Sequence, residues 1–144
     1  MMRWLWGWVP NRLLDRAFYF ERGGEVLSSG EVGVLGERIA VAYLRRMGRK
    51  VLYRNYRGPR GGEIDIIVRD GEVLCFVEVK ARRRREGSRP LDAVGKEKQD
   101  LIERGARAWL KLLPDTDFVW RFDVVEVVLE DGEVPEVTVV DEAF

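Results

Sequence analysis

GEIDIIVRDGEVLCFVEVKARRRR, residues Gly62–Arg85, sets two runs rich in β-branched residues on either side of Asp70 and Gly71. An Asp-Gly pair between such runs is a strong short-range signal for a two-residue hairpin turn. With Asp70 and Gly71 at the centre of a type I′ turn, Arg69 faces Glu72 and Asp65 faces Phe76. Side chains alternate faces with period two, so Asp65, Glu78 and Lys80 share one face at the end away from the turn. Glu63 then stands opposite Glu78. Like charges opposed across a ladder are destabilising, and an acidic cluster at this point calls for a cation or a shared proton.

The rest of the hairpin is apolar on both faces. Ile67, Leu74 and Phe76 lie with Asp65, while Ile64, Ile66, Val68, Val73, Cys75, Val77 and Val79 lie on the other side. That pattern fits a central strand pair covered by helices on both faces.

Upstream, Ser28 or Ser29 can cap a helix in which Val32, Leu35, Ile39, Tyr43 and Met47 recur at helical spacing, with Gly48 as the stop. Glu37 falls at the edge of its apolar stripe. Val51 to Tyr56 reads as a strand and Arg57 to Gly62 as a Gly/Pro/Arg loop. Downstream, the basic run Arg82–Arg85 leads into loop residues Gly87, Ser88 and Pro90. Asp92 can cap a second helix to about Leu113, with Val94, Lys98, Leu101, Ile102, Trp109 and Leu112 on its inward stripe and Pro114 as its stop. Phe118 to Val128 alternates strongly, and a second Asp-Gly turn leads to Val134–Val140, an edge strand by its Pro135. The order is α-β-β-β-α-β-β: an α/β (α+β) fold with a central mixed β-sheet flanked by helices.

The length of 144 residues fits one domain, and 46% hydrophobic with 35% charged residues fits a soluble globular chain. Cys75 is the only cysteine, so no internal disulfide forms and a cytoplasmic setting is favoured. Histidine is absent, which excludes imidazole bases, His metal ligands and Ser-His-Asp or Cys-His arrangements. Net charge is zero, but residues 1–114 hold 24 Lys/Arg against 15 Asp/Glu, and residues 115–144 one Arg against ten acids. Such a split recruits a polyanion through a patch despite the neutral total.

Residues 1–27 read as an extension, and 28–144 as the functional domain. The extension crowds three of the five tryptophans with Arg3, Arg12 and Arg16 and is too short and interrupted for a membrane span. A capping or self-association segment, an interfacial amphipathic segment touching a membrane, and a bystander extension all stand open.

Asp65 and Glu78 suit a hard divalent cation held through oxygen, Mg²⁺ or Mn²⁺. Lys80, on the same face, can orient a metal-bound water and offset charge in the transition state. Glu37 can add a carboxylate from the helix, and Glu63 either a further ligand or a partner to the ligands. Arg54, Arg57, Arg60 and the run Arg82, Arg83, Arg84 and Arg85 offer a rim for phosphates. Lys98 is either a phosphate ligand or a lysine snorkelling at the core edge. The competing interpretation is a plain hairpin with outward polar residues and Glu78-Val79-Lys80 as an ion pair.

Asp-x(12)-Glu-x-Lys on a strand-hairpin-helix order resembles the PD-(D/E)XK, restriction-endonuclease-like superfamily. More closely, the chain resembles the YraN-like family of uncharacterised bacterial proteins, distantly similar to archaeal Holliday-junction resolvases. The match is carried by Gly36-Glu37, Arg54-Asn55-Tyr56-Arg57, Gly62-Glu63-Ile64-Asp65-Ile66-Ile67, Phe76-Val77-Glu78-Val79-Lys80, Arg82, Lys98 and Arg121-Phe122-Asp123-Val124-Val125, and it spans about Glu31 to Phe144. Ile64 stands where the superfamily's proline falls. The resemblance implies a restriction-endonuclease-like fold with Asp65, Glu78, Lys80 and Glu37 as the catalytic set. It also implies a nucleic-acid partner, DNA ahead of RNA, with branched DNA as a candidate substrate, and by analogy a two-fold homodimer. The expected function is metal-dependent phosphodiester hydrolysis by a DNA endonuclease. The alternative is a non-catalytic DNA-binding accessory protein that keeps the fold.

Overall fold

The structure is a computed structural model that describes residues 11–17, 27–84, 94–114 and 117–144. Most of the Trp-rich extension, Arg85, the Gly87–Pro90 loop and the Asp92 cap lie outside the described residues.

After a single helical turn, α1 (Arg12–Asp15), come α2 (Ser29–Arg46), β1 (Lys50–Arg57), β2 (Glu63–Asp70), β3 (Val73–Arg83), α3 (Lys96–Leu110), β4 (Val119–Leu129) and β5 (Glu136–Val140). From α2 onward this is the α-β-β-β-α-β-β order read from the sequence. α2 starts on a capping box, in which the Ser28 hydroxyl accepts from the Glu31 amide at 3.2 Å and the Glu31 carboxylate accepts from the Ser28 amide at 2.7 Å. It ends where Gly48 turns left-handed at φ +84°. α1 buries Leu14 in the same core as α2, and its Asp15 pairs with Arg46 at 2.7 Å.

The strands form one mixed sheet in the order β1-β2-β3-β4-β5, antiparallel except for the parallel β3–β4 pair. α3 is the crossover that a parallel neighbour requires. One face of β2 and β3 packs on α2 through Ile66, Val68, Cys75 and Val77 against Ile39, Ala40 and Leu44. The other packs on α3 through Ile67 and Phe76 against Ile102 and Ala106. The central pair is therefore covered on both sides, as its two apolar faces require.

Several expectations shift. The hairpin turn is Gly71-Glu72, because Asp70 pairs with Val73, Arg69 with Leu74 and Ile67 with Phe76. Gly71 at φ +60° takes the first central position, as a type II′ turn prefers. Sliding the turn keeps Asp70 in the strand, where its carboxylate meets Arg121 at 3.0 Å. The slip moves each partner by two residues, so the faces survive while Asp65 leaves Phe76 for the level of Glu78, and Glu63 leaves Glu78 for the level of Lys80. Ile64 also changes side: it joins the α3-face cluster while Ile66 stays on the α2 face, so the alternation breaks at Asp65. The basic run does not start a loop, since Arg82 and Arg83 continue β3 alongside Val128 and Leu129 of β4. α3 begins at Gly95 without a side-chain cap, and Leu112 lies beyond its end, 67% exposed.

Candidate active site

The β2–β3 ladder runs to Ile66 and Val77, and one step further stand Asp65 and Glu78. Here the Asp65 carboxylate accepts from the Val79 backbone amide at 2.8 Å. A side chain takes the place of the next ladder bond, so the strands part around it. Glu78 is buried in this fork with 8% exposure. Burial first, and then the charge of Asp65, push its carboxyl up to about 8, although Lys98 works the other way. Two facing carboxyls at this spacing do not both ionise freely.

α2 brings in Glu37 from one side of the sheet. Burial and the Asp65 charge raise its carboxyl above the ordinary range, while the Asn55 side-chain amide and Arg54 favour its charged form. Its place depends on Gly36, where a side chain would run into Ala81 of β3. α3 brings in Lys98 from the other side. Its Nζ lies 2.6 Å from Glu63 Oε1 and 3.6 Å from Glu78 Oε1. Burial opposes the Lys98 charge, but the Glu63 hydrogen bond and the surrounding carboxylates carry it above its usual value. Glu63, held first by that bond, is correspondingly more acidic. Close approach of Gly62 to the backbone of Gly105 lets α3 sit near enough for this bridge.

Lys80 stands two residues beyond Glu78 on β3, level with Glu126 of β4. The structure thus brings together Glu37, Asp65, Glu78, Glu63 and Lys98 around the fork, with Lys80 next along the strand. Lys98 turns its charged end to Glu63 and Glu78. Among the described residues no group of three or more carboxylate or thiol side chains is placed to hold a metal ion. The donor set is nevertheless all oxygen, and the opposed Asp65–Glu78 pair is the arrangement a hard divalent cation relieves.

Arg54, Arg57 and Arg60 are exposed on β1 and the following loop. Of the downstream run, Arg82 lies 3.9 Å from Glu126, and Arg84 bonds Glu136 at 2.7 Å and lies 3.8 Å from Glu130. These charges are shared with the acidic segment 115–144.

Asn55 is a site residue that the sequence reading passed over as part of a longer motif. It stands level with Asp65 on β1, between the pairs Arg54–Ile66 and Tyr56–Ile64, in the left-handed region at φ +53°. Asn tolerates that conformation better than most residues. An Asn inside a strand-like run was the available signal.

A five-stranded mixed sheet flanked by helices, with carboxylates and lysines gathered at a fork of its central strands, defines a restriction-endonuclease-like α/β protein. The chain belongs to the uncharacterised protein family UPF0102, the YraN family, whose sequence model matches residues 36–127. A UPF0102 protein of Trichlorobacter lovleyi is 42% identical over 114 residues, covering 78% of this chain and 89% of the relative. One from Geobacter metallireducens is 41% identical over 118 residues, covering 82% and 95%, and one from Chlorobium phaeobacteroides is 44% identical over 101 residues, covering 70% and 79%. Among the described residues no helix is long and apolar enough to cross a membrane.

Proposed function

We propose that this protein is a metal-dependent phosphodiesterase acting on nucleic acid, a DNA endonuclease with branched DNA among its candidate substrates. The observation that carries the proposal is the meeting of Asp65 with the buried Glu78 where β2 and β3 part. Such a pair is costly unless a cation or a proton lies between its members.

Asp65 and Glu78 would hold Mg²⁺ or Mn²⁺, with Glu63 linked to Glu78 through Lys98. When bound, the cation polarises a phosphoryl oxygen and makes its water a better nucleophile. Lys80 orients that water and balances charge on the phosphate as the bond to the leaving oxygen breaks. Glu37, kept less acidic by burial and by Asp65, accepts the water's proton or completes the ligand set from the α2 side. Lys98 holds Glu63 and steadies Glu78. Arg54, Arg57 and Arg60 bind backbone phosphates without reading bases.

The purified protein should cleave one or more of linear, flap and four-way DNA with Mg²⁺ or Mn²⁺, and none with EDTA. Asp65→Ala and Lys80→Ala should each lose at least about a hundred-fold in rate, the scale of a removed charge-stabilising group. Wild-type cleavage by either variant, or no cleavage by the parent on any substrate, would remove the proposal.

A further inference from the structure

We infer that a single strand of nucleic acid leaves this site across the loop of residues 58–62, its phosphates held by Arg57, Arg60 and Arg104 and one base stacked on Tyr53. The inference rests on the phosphodiesterase reading for its starting point and adds the path and form of the substrate.

The loop lies along α3. Side chains added at Gly58 and Gly61 would meet Ala108 at 3.3 Å and the Arg104 guanidinium at 3.6 Å. Lys98 and Arg104 both line a cavity of about 610 Å³ near the start of α3, so the charged surface continues from the fork. Glu97 and Asp100 line it as well, and Asp100 is bonded by Lys96 at 2.7 Å. Arg57, Arg60 and Arg104 are exposed, and among the described residues none has a carboxylate within ion-pair distance. Arg82 and Arg84, by contrast, are bridged to acids of β4 and of β5. Arg57 ends β1 opposite Glu63, whose carboxyl is made more acidic first by Lys98 and then also by the Arg57 charge. Arg60 on the glycine-rich loop and Arg104 on α3 are the exposed guanidinium groups that suit a chain of phosphates.

The same side carries an aromatic platform. Tyr53 is 47% exposed, yet its ring is fixed, 5.7 Å from Tyr56 at 86° and 5.3 Å from Trp109 at 55°. Trp109 lies five residues beyond Arg104, about 7.5 Å along the helix axis. A rigid, half-exposed ring on the strand that leads to Arg57 and packed on the helix that carries Arg104 is the arrangement that stacks an unpaired base. A duplex keeps its bases stacked inward and has no use for it.

The test is fluorescence anisotropy with the full chain in EDTA, using labelled oligo-dT of about twelve nucleotides, within the usual site size, and its duplex with oligo-dA. Wild-type protein should prefer oligo-dT. Arg60→Ala and Arg104→Ala should each weaken that binding several-fold and lower the salt slope by about 0.7. Tyr53→Leu should weaken oligo-dT by about five-fold or more and spare the duplex, while Tyr53→Phe matches wild type. Arg107→Ala, on the same helix but paired to Glu103 at 2.8 Å, serves as the control and should change neither. Unchanged binding by Arg104→Ala, equal or no loss on both probes for Tyr53→Leu, a preference for duplex, or no binding by wild type overturns the inference. Binding in the expected pattern without metal-dependent cleavage sinks the phosphodiesterase reading and leaves the strand path standing.

Discussion

Glu78 concentrates the conflict that makes the fork useful. Its folded-state carboxyl is raised from 4.5 to about 8 by burial and by Asp65. Between those two values the folded chain holds a proton that the unfolded chain has released, so stability falls as pH rises through that window. In EDTA, Glu78→Gln should therefore melt a few degrees above the parent at pH 8, with the gap closing towards pH 4.5, and should lose Mn²⁺ binding measured by calorimetry. A variant less stable than the parent at pH 8 would mean that Glu78 is held as a satisfied carboxylate. Cys75 is the contrasting case. It is fully buried, and burial first, then Asp123, push its thiol up to about 12. Maleimide should label it only as fast as the protein unfolds, and rapid labelling of native protein would contradict that burial. The carboxylates of the fork were legible in the sequence because a two-residue turn at either position brings Asp65 and Glu78 to the same end of the hairpin. The bridge from Lys98 to Glu63 joins residues 35 positions apart, and no local pattern records it.

Among the elements, the hairpin shows where sequence reading stops. Asp70-Gly71 and Gly71-Glu72 both satisfy favoured two-residue turns, and they differ in what Asp70 meets on other strands. The faces from Ile66 to the turn came through because the slip is even, while Ile64 changed side and the opposing partners shifted. Two glycines then fix how closely the helices approach the forked pair. Gly36→Ala would bring its methyl into Ala81, and Gly62→Ala into the backbone of Gly105. Overpacking of this kind costs about 1–3 kcal/mol. For Gly36 the obstacle is itself one methyl, so Ala81→Gly in the same chain should recover part of the loss in thermal melts, a coupling expected of touching residues. Gly62→Ala meets backbone, and shortening a side chain has nothing to relieve there. Additive losses for Gly36→Ala and Ala81→Gly would show that α2 is held off β3 by something else.

At the scale of the molecule, the β2–β3 pair separates two kinds of charge between its two ends. The site end opposes carboxylates to one another. The turn end is a satisfied network, in which the buried Arg49 lies 3.3 Å from Asp123 and 2.9 Å from Asp141, and Arg121 bonds Asp123 at 2.9 Å and Asp70 at 3.0 Å. Arg121 and Asp123, two apart on β4, form an ion pair, and its wider connections come from α2's exit, the turn and the tail. The last residues close over it, with the Glu142 amide donating to Asp123, the Ala143 amide to the Phe122 carbonyl, and Phe144 stacked 4.8 Å from Phe122. Removing one partner of a buried pair leaves the other charge uncompensated, at a cost of about 3–5 kcal/mol. Asp123→Ala should therefore lower the denaturant midpoint sharply, and removing residues 141–144 should do so to a smaller degree. Asp123 stands level with Val77, one step short of Glu78, but its ion pairs run to Arg49 and Arg121 and away from the fork, so the folded fraction of either variant should keep the parent's Mn²⁺ affinity. A fall in that affinity in step with stability would show that the turn end also sets the geometry of the fork.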